Sequence, residues 1–155
     1  MKIAMDSSVL DIYERMLDHN DRRLNKLPQN FRYSANDERA FDMIDALDKI
    51  NKTLVSFCRL PSNEDALKRN PKANKHLFEC CIEGYDIQSI NKRINELHGF
   101  YDNLENCCKL LSEAEECGVN IILTTNGLFK NNLQSKAKNN IKILHPLHDL
   151  DEILK

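Results

Sequence analysis

The stretch Gly118-Val119-Asn120-Ile121-Ile122-Leu123-Thr124-Thr125-Asn126 decides the fold. Gly118 stops a long helical pattern. A short apolar run follows, and Thr124, Thr125, Asn126 and Gly127 then arrive together. A short apolar run bounded by turn formers reads as a buried strand. In an α/β protein, ligands gather outside the carboxyl ends of parallel strands. The polar cluster past this strand is therefore the first place to seek chemistry. A strand followed by an Asn-Gly turn accounts for the same residues without any chemistry.

The same alternation runs through the chain. Lys2 to Met5 reads as a first strand with Asp6 at its carboxyl tip. A helix follows, capped by Ser7 or Ser8, with Val9, Leu10, Ile12, Tyr13, Met16 and Leu17 on its apolar side and a stop at His19-Asn20-Asp21. Residues 22–36 are polar and locally basic, which reads as a solvated connection or as an RNA or partner contact. Ala40, Phe41, Ile44, Leu47 and Ile50 recur at helical spacing behind a cap at Asn36 or Asp37. Thr53 to Leu60 is a second strand, ended by Pro61. Ser62-Asn63-Glu64-Asp65 opens a helix to about Arg69, which Pro71 breaks. Three helical patches follow between residues 73 and 117, cut at Gly84 and Gly99, with Asp102 or Asn103 capping the last. Beyond the opening strand come a short basic helix from Leu128 to about Ala137, a last strand at Ile141 to Leu144, and a helical turn or two from Asp149 to Leu154. Strands alternating with helices predict one α/β domain over residues 1–155, with a mostly parallel sheet covered on both faces.

The totals bound the function. The chain has 155 residues, 41% hydrophobic and 30% charged, with a net charge of −2. That balance excludes a broad basic surface for coating nucleic acid, which would make the chain clearly positive. It leaves open a nuclease whose phosphate contacts run through metal ions. No apolar run approaches the ~20 residues needed to span a bilayer, so no membrane partner is expected. Asp6 interrupts the N-terminus where a signal peptide would still be apolar, which predicts a cytoplasmic protein. Cys58, Cys80, Cys81, Cys107, Cys108 and Cys117 include no Cys-x-x-Cys pair, so they read as small buried apolar residues. His145 and His148 stand three apart, but Pro146 between them disfavours a helical metal-binding pair.

Acidic and polar residues collect at the ends of elements. Asp6 ends the first strand, Glu64 and Asp65 follow the second, Asp102 opens a helix with Glu105 a turn on, and Asn126 follows the late strand. Carboxylates converging at one sheet edge repel one another unless a divalent cation neutralises them. Oxygen donors suit Mg²⁺ or Mn²⁺, and such a site can activate water for in-line attack at phosphorus.

At these residues the chain resembles the PIN domains. Met1-Lys-Ile-Ala-Met-Asp-Ser-Ser-Val-Leu10 is similar to their opening strand, which ends in Asp. Gly118 to Asn126 is similar to their late strand, which ends Leu-Thr-Thr-Asp or Asn. Ile141-Lys-Ile-Leu-His-Pro-Leu147 is similar to their last strand, commonly ending in Asn-Pro. Residues 11–100 match only in their pattern of elements. The resemblance implies a Rossmann-like α/β/α sandwich and a metal-dependent endoribonuclease that hydrolyses RNA phosphodiester bonds. Many members are toxins neutralised by an antitoxin, and relatives often form homodimers. It implies that Asp6, Glu64 and Asp102 hold one Mg²⁺ or Mn²⁺, while Asn126 coordinates or positions water, with Thr124 or Ser8 bonding the phosphate or the water. Asp102 lies about a helical turn further from Gly118 than the pattern requires. At the required spacing stands Cys107, which is not an acid. The alternative is therefore a catalytically inactive PIN-like domain acting as a binding or scaffolding module.

Overall fold

The computed structural model describes residues 1–24, 35–53, 55–76, 86–98 and 104–155. Four short strands are built from the apolar runs: β1 (Lys2–Met5), β2 (Ser56–Cys58), β3 (Ile121–Leu123) and β4 (Lys142–Leu144). They form one sheet in the order β2-β1-β3-β4, and every pairing is parallel. Ile3 stands opposite Phe57 on one side and Ile121 on the other. The N-terminal strand is thus central, and its edges are fixed by chain more than fifty residues away. Asn120 fastens the β1–β3 register from both its backbone and its side chain, since its N–H donates to the Lys2 carbonyl at 2.9 Å and its Oδ1 accepts from the Lys2 N–H at 2.8 Å.

The connections are helical: α1 (Ser7–Leu24), α2 (Ala35–Asn51), α3 (Glu64–Arg69), α4 (Pro71–His76), α5 (Ile87–His98), α6 (Glu105–Glu116), α7 (Gly127–Leu133) and α8 (Leu150–Ile153). Successive strand residues point to opposite faces, and the core divides accordingly. Ile3, Met5, Phe57, Ile121 and Leu123 pack with α1, α2, α3, α4 and α8 through Tyr13, Leu47, Ile50, Leu67, Ala73 and Ile153. Ala4, Cys58, Ile122 and Ile143 pack with α5, α6 and α7 through Leu97, Leu111, Phe129 and Leu133. The expected α/β architecture with a parallel sheet is what the described residues form.

Several local expectations are corrected. The first helix continues past His19-Asn20-Asp21 to Leu24, because Asn and Asp inside a helix cost well under ~1 kcal/mol each and neither Gly nor Pro intervenes. Its cap is Asp6, one residue before the serines. Asn36 and Asp37 lie inside α2, not ahead of it. α3 does end at Arg69 ahead of Pro71, as expected, and Pro71 then opens α4, a first helical position where its missing N–H costs nothing. Gly118, at φ +70°, ends α6 in the left-handed conformation that glycine adopts freely. The caps expected at Asp102 and Asn103, and the breaks at Gly84 and Gly99, lie outside the described residues. Among the described residues no helix is long and apolar enough to cross a membrane.

Candidate functional site

β1 leads on to β2 on one side of the sheet, while β3 and β4 lie on its other side. The carboxyl ends of β1 and β3 therefore flank the point where the connections diverge, the place where open α/β sheets bind ligands. A cleft of about 890 Å³ opens there. Asp6, Ser7 and Ser8 border it from the start of α1, Ser62 from the turn after β2, Glu64 and Asp65 from the start of α3, Glu105 and Cys107 from α6, and Asn126 and Phe129 from the start of α7.

Asp6 is the most heavily bonded of these. Its N–H donates to the Leu123 carbonyl at 3.0 Å, which fixes it to the end of β3. Its Oδ1 accepts from the Val9 N–H at 3.1 Å, three residues on, and from the Ser8 hydroxyl at 2.5 Å. This is helix N-capping by a carboxylate, favoured again by the helix dipole. Its Oδ2 accepts from the Thr124 hydroxyl. Thr125 Oγ1 donates to Ser8 Oγ at 2.7 Å. Ser8, Thr124 and Thr125 thus lace the tips of β1 and β3 together around one carboxylate.

Asn126 caps α7, its Oδ1 accepting from the Leu128 N–H at 3.0 Å. Its Nδ2 points at Cys107 Sγ, 3.8 Å away. Burial pushes the Cys107 thiol up to about 11, helped by the nearby negative charge of Asp6 and opposed by the Asn126 amide. At neutral pH Cys107 is therefore a neutral thiol facing the cleft and not a ready nucleophile.

Glu64 lies on the exposed side of the cleft, gripped bidentately by Arg59 Nε and Nη2, both at 2.9 Å. The hydrogen bonds from Arg59 hold its carboxyl below the usual range. Arg59 also donates to Asn74 Oδ1 at 3.0 Å, so this pair ties β2 to α4. Asp102 lies outside the described residues. Among the expected site residues, Asp6, Glu64 and Asn126 are brought to one cleft. Among the described residues, no three His, Cys, Asp or Glu side chains are grouped to hold a metal ion.

One buried group went unread in the sequence. Glu113 on α6 is only 2% exposed and reaches across to the turn after β2. Its Oε1 and Oε2 accept from the Ser62 N–H at 2.8 and 3.1 Å, and the Ser62 hydroxyl donates to both. Burial raises its pKa against the opposing Ser62 bonds and the charge of Lys109. From the same turn Asn63 donates to the Met5 carbonyl at 2.9 Å and accepts from the Leu60 N–H at 2.9 Å. Together Glu113 and Asn63 set the cleft wall. The readable signal was positional: Glu113 follows Leu110 by one helical turn on a face that the apolar pattern of α6 reaches.

Comparison of the chain with family models, with curated proteins and with solved structures found no match.

Proposed function

We propose that the chain is a PIN-like domain, with the α/β/α sandwich of that family, that serves as a binding module and does not hydrolyse RNA. The single observation that carries this reading is Cys107. It occupies the position where the resemblance asks for an acid, and it faces Asn126 and Asp6 as a neutral thiol. The rest of the donor set supports the same reading. Both Asp6 oxygens are engaged in capping α1 and fastening β3, and both Glu64 oxygens are taken by Arg59. The described residues do not fit a Mg²⁺ or Mn²⁺ ion, so no hydrolytic step is derived through one.

The cleft has four carboxylates among its lining residues, Asp6, Glu64, Asp65 and Glu105, against two cations, Arg69 and Lys109. With Glu64 neutralised by Arg59, Asp6, Asp65 and Glu105 remain against Arg69 and Lys109, a slight acidic excess that disfavours phosphate chains and suits a partner segment carrying Lys or Arg. The proposed occupant is accordingly a protein. A second reading, the metal-dependent endoribonuclease, draws on the same four carboxylates sharing one cleft. Incubation of purified protein with single-stranded RNA and Mn²⁺ or Mg²⁺ separates the two. We expect no cleavage above that of the Asp6→Asn variant. Metal-dependent cleavage that vanishes in Asp6→Asn would overturn the binding-module reading. Fluorescence anisotropy tests the occupant: a Lys/Arg-rich peptide should bind with an affinity that falls as salt rises, whereas an RNA oligonucleotide should not bind.

A further inference from the structure

The turn after β4 is built around a titratable ring that does not border the cleft. His145 Nδ1 accepts two backbone hydrogen bonds, from the Leu147 N–H at 3.1 Å and the His148 N–H at 3.2 Å. The His145 N–H in turn donates to Asp149 Oδ2 at 2.7 Å, and Lys130 Nζ of α7 donates to the same carboxylate oxygen at 3.0 Å. The His145 and His148 rings lie against each other, centroids 4.1 Å apart. Asp149 is the residue from which α8 starts, and its carbonyl accepts from the Glu152 and Ile153 N–H groups. Ile153 is buried in the core. One imidazole nitrogen thus holds the Leu147 and His148 amides in the turn that leads to α8.

We propose that His145 is a pH-sensitive latch, whose unprotonated Nδ1 holds the turn from His145 to Asp149 closed and whose protonation opens it. Two backbone N–H groups aimed at Nδ1 require a lone pair there, so the neutral ring carries its hydrogen on Nε2. A second proton has only Nδ1 to go to. The imidazolium would then present an N–H to two N–H donors, and both hydrogen bonds are lost.

The groups around the ring set the direction. Burial lowers the His145 pKa first, and the charge on His148 and that on Lys130 lower it further, while Asp149 opposes them. Lys142 of β4 and Asp151, Glu152 and Lys155 stand with His148 and Asp149 along the outer side of the turn. Because the folded-state pKa of His145 is depressed, its contribution is present above the ordinary histidine range and is lost as pH falls through the lower folded value. Burial would raise Asp149, but the bonds from the His145 N–H and Lys130 hold its pKa below the usual carboxylate range. Opening below the ordinary histidine range is therefore the work of the ring, ahead of the carboxylate, whose own pKa is held down.

Amide exchange of the full chain, read by NMR as protection factors at Leu147 and His148, tests the latch. On going from pH ~7.5 to ~5, those two protection factors should fall about tenfold, the loss of roughly one net hydrogen bond each. His145→Asn keeps an acceptor in place of Nδ1 that does not titrate, so its protection should stay flat across the same range. His145→Ala should leave both amides poorly protected at either pH. Flat protection in the natural chain would overturn the proposal. So would a pH dependence that persists in His145→Asn and disappears in His148→Asn, because the proton would then act at the other ring.

Discussion

Asp6 carries two meanings that separate only in three dimensions. As a sequence feature it is an acid at a strand tip. In the fold it caps α1 and takes a hydrogen bond from Thr124 across the strand boundary. Replacing it tests which role dominates. Asp6→Ala should destabilise the fold by about 2 kcal/mol, the upper range for losing a helix cap, because the Thr124 hydroxyl also loses its acceptor. Asp6→Asn, which keeps an oxygen for the Val9 N–H, should cost less than half of that in urea denaturation. Equal losses in both variants would show that the charge, and not the cap, is what the fold uses. Cys107 poses the complementary test. Cys107→Asp places a second carboxylate beside Asp6, and like charges there disfavour ionisation. The variant should melt lower than the natural chain at neutral pH and approach it as the pH falls through the carboxylate range. Addition of Mn²⁺ should raise the melting temperature of the variant and leave that of the natural chain unmoved. Much of this site was legible, since Asp6, Glu64 and Asn126 are visible as residues at element ends and Cys107 through the spacing that the PIN-domain resemblance asks for. What could not be read was their occupancy. That Arg59 takes both oxygens of Glu64, or that Ser8 serves Asp6, depends on side chains whose meeting only the folded backbone determines.

At the scale of elements, α6 does more than close a layer. Its buried Glu113 holds the turn after β2 through Ser62, and so fixes one wall of the cleft. Glu113→Ala leaves the Ser62 N–H without its acceptor and should cost about 1–3 kcal/mol. Glu113→Gln retains an acceptor and removes the ionisation. The folded-state pKa of Glu113 is raised by burial. Its contribution is therefore fully present below the ordinary glutamate range and is lost as pH rises through the folded value. The urea midpoint of the natural chain, relative to that of Glu113→Gln, should fall as the pH rises through that window. A constant difference would mean that Glu113 does not titrate in the fold. The elements themselves were legible where the apolar run is short and the polar stop abrupt, as at Lys2–Met5 and Lys142–Leu144. They were misread where a stop signal is weak. Asn20 and Asp21 lower helix propensity too little to end α1. Glu113 escaped because a glutamate near the C-terminal half of a helix reads as solvated unless its partner across the fold is known.

For the whole molecule, the consequence of a central N-terminal strand is that the two halves of the core cannot form separately. β1 sends Ile3 and Met5 to one face and Ala4 to the other, so one strand serves both layers. Both neighbours of β1 arrive from distant chain, β2 at residue 56 and β3 at residue 121. The loop-closure entropy of those pairings is met before either face is sealed, which favours a single cooperative transition. The chain contains no tryptophan, so one introduced residue reports locally. Phe57→Trp would read the layer of α1 and α2, and Phe129→Trp the layer of α6 and α7. Enlarging a filled site should cost about 1–3 kcal/mol in each variant, which shifts the midpoints but not the cooperativity. In each variant the urea transition followed by tryptophan fluorescence should coincide with that variant's own far-ultraviolet circular dichroism transition. Comparing each variant with itself removes the destabilisation caused by the probe. A fluorescence transition that precedes loss of secondary structure in Phe129→Trp alone would mean that the α5–α7 layer detaches while β1 still holds the other face. The sheet would then be two units sharing a strand and not one cooperative core.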